Sequence, residues 1–350
     1  MKPHCRTWLM LGFLTACASE DDTRLWPDRS DALPDAQQAA QNTQRPQAAV
    51  PDPGALRIGI LYQGTKDTFV DAWQQDLAPE SPQAPVLLAM VNAAGPELVP
   101  VPRDSAQRDA FASEISTRTS SPRLSDNNVL KAVASDQLDC GRARSAAFLE
   151  GALSGAPLVA VARFADSKDA LLGQLQLHRR ASLDESDGIP MSARKFAVLD
   201  VGAFSRSAAN FWLQNHGLRP SSVRVAVRPR DSRLEDLFRD GNFDYVFVPA
   251  SQGIQRTRYS VIVDSEPKDF PDPGLLQTLL VCRANALADH RDSLEHMVSR
   301  WTDEGLTGAP LPLDVERLSV LNTHLQSTDI ARGSRSVRDW VDTALMGGKQ

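Results

Sequence analysis

The chain holds little cysteine, four residues in 350, which excludes a fold stapled by a dense disulfide framework. It also lacks the compact signatures of common chemistries. There is no G-x-S-x-G, H-E-x-x-H, Walker A or C-x-x-C sequence. Six histidines are scattered along the chain. The two that share a helical stretch, His290 and His296, stand six residues apart and fall on different helix faces, which argues against a metal pair. No cofactor or metal is expected, and the chain reads as a non-enzyme, although a hydrolase built from dispersed residues stays compatible with it. Excess positive charge is missing too. The net charge is −6, which argues against a nucleic-acid partner held by global charge. Long hydrophobic runs are absent except near the start. What is present is an ordinary globular balance, 42% hydrophobic and 23% charged, in a length that suits two domains.

The first residues carry Lys2 and Arg6, then an apolar run from Trp8 to Leu14, then Leu14-Thr15-Ala16-Cys17. A basic start, an apolar stretch too short to span a bilayer and small residues before a cut site describe an export signal. The four residues ending in Cys17 match the bacterial lipobox. Residues 1–16 are therefore expected to be removed, leaving a lipidated Cys17 as the new N-terminus and a membrane anchor of acyl chains. The alternative is an ordinary signal peptide that happens to contain a cysteine. Losing Lys2 and Arg6 leaves the remainder two units more negative. The expected location is the cell envelope, facing the periplasm or the exterior. Residues 17–54 are rich in Ala, Gln, Asp and Pro with little apolar periodicity, a tether between anchor and body.

From Leu56 onward, short apolar runs alternate with helical patterns. Expected strands include Arg57–Leu61, Leu158–Ala162, Phe196–Val201, Val223–Val227, Tyr245–Val248, Tyr259–Val263 and the run from Leu275 to Cys282. Leu158–Ala162 reads as a parallel strand buried on both faces. Expected helices include Val129–Leu138, Phe148–Leu153, Ser207–His216 closed by Gly217, Leu234–Arg239, Asp289–Trp301, Leu313–Gln326 and Val337–Leu345. The alternation predicts an α/β protein of two lobes.

The stretch Phe196-Ala197-Val198-Leu199-Asp200-Val201-Gly202, the helix ending His216-Gly217-Leu218, then Val223-Arg224-Val225, Asp240-Gly241 and Phe243-Asp244-Tyr245-Val246 resemble the nitrate/sulfonate/taurine type of ABC-transporter substrate-binding protein. The run from Leu279 to Trp301 is similar to the returning strand and following helix of that family. Gln63 to Ala94 and the polar stretch Thr117 to Asn128 depart from its pattern. The resemblance implies a two-lobed type II periplasmic-binding-protein fold, each lobe a mostly parallel sheet flanked by helices, joined by two hinge crossings. It places lobe one at 55–170 and 276–346 and lobe two at 171–275, with hinge candidates at Leu171–Arg179 and Leu275–Arg283. It implies capture of a small molecule, with an ABC transporter permease as partner. The alternative is an envelope accessory lipoprotein that reuses the scaffold without transport.

Ligands of open α/β sheets sit beyond the carboxyl ends of the strands. That rule selects the turns Tyr62–Thr65, Arg142–Ser145, Gly202–Ser207 and Pro249–Gln252. The candidate ligand residues are accordingly Tyr62, Gln63, Gly64, Thr65, Arg142, Arg144, Ser145, Ser205, Arg206, Ser207 and Ser251. The arginines are candidates for a forked clamp on an anion, or for pairing with acids of the same chain. Ser205 and Ser207 stand near a helix start, as anion donors or as N-caps. Tyr62 is a cleft or a rim aromatic. The resemblance makes the third strand of lobe one and the returning strand neighbours, so Cys140 and Cys282 are either a disulfide or two buried thiols.

Overall fold

The computed structural model describes residues 56–59, 87–92, 95–98, 126–164, 174–184, 186–200, 202–229, 232–239, 241–250, 258–303, 310–328, 330 and 335–346. In chain order the elements are β1 (Arg57–Gly59), β2 (Leu87–Asn92), β3 (Gly95–Leu98), α1 (Asp126–Ala134), β4 (Cys140–Arg144), α2 (Ser145–Leu153) and β5 (Leu158–Phe164). Then come β6 (Leu175–Arg180), β7 (Phe196–Asp200), α3 (Ala203–Asn215), β8 (Val225–Pro229), α4 (Leu234–Arg239), β9 (Tyr245–Pro249) and β10 (Ser260–Asp264). The chain closes with β11 (Thr278–Arg283), α5 (Ala284–Asp289), α6 (Arg291–Asp303), β12 (Pro310–Leu311) and α7 (Val315–Ser327). No helix among the described residues is long and apolar enough to cross a membrane.

Two sheets form. The first has the order β12-β5-β11-β4-β1-β2-β3, the second β10-β6-β9-β7-β8. The α/β architecture in two lobes stands, but the sheets are mixed rather than mostly parallel. In the first, β1 pairs parallel with β2 and β4, while β11 runs antiparallel between β4 and β5. In the second, β7 pairs parallel with β8 and β9, while β6 runs antiparallel to β9 and β10. The returning strand β11 is what reverses the expected parallel pairing of Leu158–Ala162. Those residues are buried on both faces or nearly so, yet their ladder partner β11 is antiparallel, and among the described residues only an isolated bridge from Ala160 to Val341 is parallel. The continuous apolar run reports two-sided burial, not strand direction.

Strands occupy part of each hinge candidate. Leu175–Arg180, inside the outgoing hinge candidate, is β6, an interior strand of the second sheet. Leu175 and Leu177 are fully buried and alternate with Gln176, the period-2 signal of a strand. On the return, Thr278–Arg283 is β11 itself, so the chain passes back between lobes through 265–277. The segment Val337–Leu345, expected as one helix, is two short 3-10 turns, Val337–Trp340 and Ala344–Met346.

Each lobe has a core on both sides of its sheet. In lobe one, α1, α2 and α7 pack Val129, Val133, Phe148, Leu149, Leu318 and Leu321 against β11's Leu279 and Val281. The opposite face packs Leu280 and Cys282 against Leu294, Met297 and Val298 of α6. In lobe two, α3 packs Ala208, Trp212 and Leu213 on Phe196, Val198 and Phe247, and α4 covers Leu199, Val246 and Val248 with Leu234 and Phe238. Helix α3 ends in a Schellman turn: Gly217 has φ 73°, and the Leu218 and Gly217 amides donate to the Leu213 and Gln214 carbonyls at 2.8 and 3.0 Å.

Gly59 and Gly141 face each other across β1 and β4, and both are there for close approach. A Cβ on Gly59 would lie 2.3 Å from Leu138 Cδ1, and one on Gly141 2.4 Å from Val129 Cγ1. The pair lets α1 and the turn after it settle directly onto the sheet. On the neighbouring strand pair, Cys140 and Cys282 sit opposite each other in register and are bonded, S–S 2.01 Å. At the start of β1, buried Asp139 accepts from the Arg57 amide at 2.7 Å and from its guanidinium at 2.7 and 3.1 Å. Burial pushes the Asp139 carboxyl up, but the hydrogen bonds and charge of Arg57 outweigh it and hold the group below the usual carboxylate range.

Candidate functional site

Three helices begin at one place between the lobes. Strand β4 passes without a loop into α2, with Arg144 as the N-cap residue, and β7 passes through Gly202 into α3. Gly202 has φ 112°, a conformation that favours glycine, and a Cβ there would meet nothing within 4 Å. Together with the start of α1, these ends line a narrow cleft, with about 10 Å³ of enclosed space, formed by Asp126, Arg144, Ala146, Ala147, Gly202, Ala203, Phe204 and Leu276. Residues 146, 147, 203 and 204 lie in first helical turns, whose amides lack intrahelical acceptors. The positive ends of α2 and α3, one from each lobe, therefore meet at this cleft.

Two charged side chains line it, and a second ion pair joins α2 to α3. Arg144 pairs with Asp126 at 3.5 Å, both side chains largely buried. Arg206 of lobe two reaches Glu150 of lobe one at 2.8 and 3.0 Å. Asn127 Nδ2 donates to the same carboxylate at 3.4 Å. Several buried polar atoms on the same segments of chain are left over. Asn127 Oδ1, Arg206 Nε and both amide atoms of Gln277 have no hydrogen-bond partner among the described residues. Asn127 and Gln277 are next in sequence to the cleft residues Asp126 and Leu276. Buried polar groups are nearly always satisfied, and a cluster that is not marks a place for water or a ligand.

The lobes touch beyond the cleft. Ala203 and Phe204 belong to the hydrophobic cluster of lobe one. Ser207 Oγ meets Thr328 Oγ1 at 2.7 Å, and Asn210 Nδ2 donates to the Thr328 carbonyl at 2.9 Å. His324 of α7 lies beside the rings of Phe204 and Phe211, 6.4 and 5.3 Å between centroids. Burial lowers its pKa to about 4, so it stands neutral at this contact.

Of the sequence candidates, Tyr62, Gln63, Gly64, Thr65 and Ser251 lie outside the described residues, as does Cys17. Arg144 lines the cleft. Arg142 does not: its guanidinium lies over the Phe164 ring, 5.7 Å from the centroid, on β5. Ser145 is fully buried and its Oγ accepts from the Gln277 amide at 3.0 Å. Neither Ser205 nor Ser207 is an N-cap, because α3 starts earlier than the sequence pattern indicates and Gly202 holds that position. Ser205 Oγ donates to the Gly202 carbonyl at 2.9 Å, and both serines are fully buried. Arg206 faces the inter-lobe contact but spends its charge on Glu150. The arrangement thus turns three expected ligand hydroxyls and all three candidate arginines toward protein partners. Sequence reading missed Glu150, Asn127, Phe204 and Gln277. Glu150 carried a signal, as the lone charge in the apolar stretch Ala146–Leu153.

No family model matches the chain, and no curated protein matches it. Among solved structures it is similar to the alkanesulfonate-binding protein SsuA from Xanthomonas axonopodis pv. citri bound to MOPS. The identity is 11%, the match covers 84% of this chain and 99% of the other, and the TM-score is 0.47. It is similar to the periplasmic aliphatic sulphonate binding protein SsuA from Escherichia coli at 13% identity, 85% and 96% coverage and TM-score 0.48. It is also similar to PhnD1 from Prochlorococcus marinus (MIT 9301) in complex with methylphosphonate, at 8% identity, 80% and 100% coverage and TM-score 0.40.

Proposed function

We propose that this chain is a lipid-anchored extracytoplasmic solute-binding protein. It captures a small molecule with an anionic group between its lobes and delivers it to an ABC transporter permease. The observation that carries the reading is the cleft itself. Helix first turns from both lobes and Arg144 converge on one space at the carboxyl ends of β4 and β7. An anion there would compete with Asp126 for Arg144 and would gain the amides of α2 and α3. Apolar Ala147, Phe204 and Leu276 suit a short hydrocarbon portion. The anchor rests on Cys17 and its flanks; mass spectrometry of the N-terminal peptide tests it, with a diacylglyceryl cysteine expected and an unmodified or uncleaved N-terminus contradicting it.

A second reading is favoured by one feature. The lobes are already joined by the Arg206–Glu150 pair and by Phe204 seated in the core of lobe one. Lobes that stayed joined in solution would not load a ligand between them, which suits an accessory role, whereas a carrier's lobes part. Thermal melting across sulfonates, carboxylates and phosphonates separates the two. The transport reading predicts a rise in melting temperature with at least one class that grows with concentration. A flat response across the panel supports the accessory reading.

A further inference from the structure

At the other end of α3, about 20 Å from its first turn by helix rise, a second set of groups converges. One ring nitrogen of His216 and one carboxylate oxygen each of Asp264 and Asp269 lie within 4.8 Å of one another. The geometry points to a metal-binding site at His216, Asp264 and Asp269, suited to a zinc-like divalent cation that ties the end of α3 to the returning crossing.

The imidazole is set up for this. His216 Nδ1 lies 2.9 Å from the Trp212 carbonyl oxygen. A carbonyl only accepts, so Nδ1 carries the proton and Nε2 keeps its lone pair. The ring is stacked on Trp212 with centroids 3.7 Å apart. The same tryptophan orients a second ligand, since its indole N–H donates to Asp264 Oδ2. Asp264 Oδ1 is held in turn by the Glu266 amide at 3.0 Å. One residue thus fixes the tautomer of the histidine and the rotamer of the aspartate, which is the work outer partners do at metal sites.

Charge favours a cation at this point. Asp264, Glu266 and Asp269 surround a single ammonium, Lys268, which bonds Glu266 at 2.6 Å. Three carboxylates against one cation leave negative charge over, and His216 sits at the negative end of α3. Zinc to nitrogen and oxygen distances are about 2.0–2.2 Å, so ligand atoms about 3.4 Å apart close a tetrahedral set. The three atoms lie within 4.8 Å of one another, so side-chain rotation closing each gap by at most about 1.4 Å reaches that spacing, with water completing the shell. One imidazole with two carboxylates favours zinc-like ions over calcium and magnesium. The competing arrangement is Lys268 as the sole counter-ion.

Calorimetric titration of zinc chloride into the tag-free, chelator-stripped mature chain tests the proposal. One zinc ion per chain is expected, with calcium and magnesium failing to compete. His216→Asn and Asp269→Asn, each checked by an unchanged zinc-free melt, are each expected to weaken binding at least tenfold. Asp264 is left intact because it also holds Trp212. Lys268→Met removes the competing ammonium and is expected to strengthen binding. No stoichiometric binding in either the natural chain or Lys268→Met overturns the proposal, as does undiminished binding in His216→Asn and Asp269→Asn.

Discussion

Arg206 and Glu150 form a buried ion pair across the two lobes, at 2.8 Å, with side chains 12% and 6% exposed. The two residues come from α3 and α2, Arg206 in the first turn of its helix and Glu150 in the second turn of its own.

Removing either partner leaves the other charge without its mate in a desolvated setting. Arg206→Met and Glu150→Gln are each expected to destabilise the protein by about 3–5 kcal/mol. The double variant Arg206→Met/Glu150→Gln is expected to lose much less than the two singles together. Urea unfolding of the four proteins measures the cycle; additive losses would mean that the pair is not coupled.

The close approach of α1 to the sheet depends on paired glycines. Gly141→Ala is expected to cost about 1–3 kcal/mol through overpacking against Val129 and Val133. Adding Val129→Ala on top is expected to recover part of that loss in the region of contact. Chemical denaturation reads both; a neutral Gly141→Ala would show that α1 sits further from β4.

Stability should fall with pH in a defined window. His178 is fully buried on β6 with neither ring nitrogen partnered among the described residues, and burial lowers its pKa to about 4. An unfolded histidine titrates near 6.5. The unfolded state therefore binds more protons between these values, and stability present above about pH 6.5 is lost as pH falls toward 4. His324 acts in the same sense and window. His178→Leu is expected to flatten the profile there. Asp139, whose carboxyl lies below its ordinary range, adds loss at still lower pH, and Asp139→Asn removes that component. Melting temperature against pH tests both; a profile unchanged by His178→Leu contradicts the assignment.

The Cys140–Cys282 bond closes a loop of 142 residues across β4 and β11. Loss of such a link costs about 2–5 kcal/mol. Alkylation of the denatured, unreduced protein is expected to leave Cys140 and Cys282 unlabelled, and Cys140→Ala/Cys282→Ala is expected to melt lower. Two labelled cysteines would contradict the bond.

Much of the fold was legible because the signals were local. Gly217 and Gly241 stop helices where left-handed backbone is needed, and α4 begins and ends at Leu234 and Arg239 as its pattern indicates. Strand direction was not legible. Leu158–Phe164 looks the same to its neighbours whichever way β11 runs, because burial on two faces sets composition and the chain's return sets direction. Strand β6 carried a readable Leu175/Leu177 alternation, masked by the two arginines that follow. The site was legible as a place but not as a set of partners. Turns at strand ends pointed to Arg144 and Gly202, whereas the Glu150–Arg206 and Ser207–Thr328 contacts join residues 56 and 121 positions apart. The His216, Asp264 and Asp269 cluster likewise joins a helix end to a distant turn, with no spacing that sequence could display.

The central claim is that the inter-lobe cleft binds a small anionic molecule. Calorimetric titration of the anion class that raises the melting temperature most, into the natural chain, Arg144→Lys and Arg144→Gln, tests it most directly. The account predicts one molecule per chain, with affinity reduced modestly by Arg144→Lys, which keeps the charge, and at least tenfold by Arg144→Gln. No binding by any class, or equal affinity in all three proteins, would contradict it.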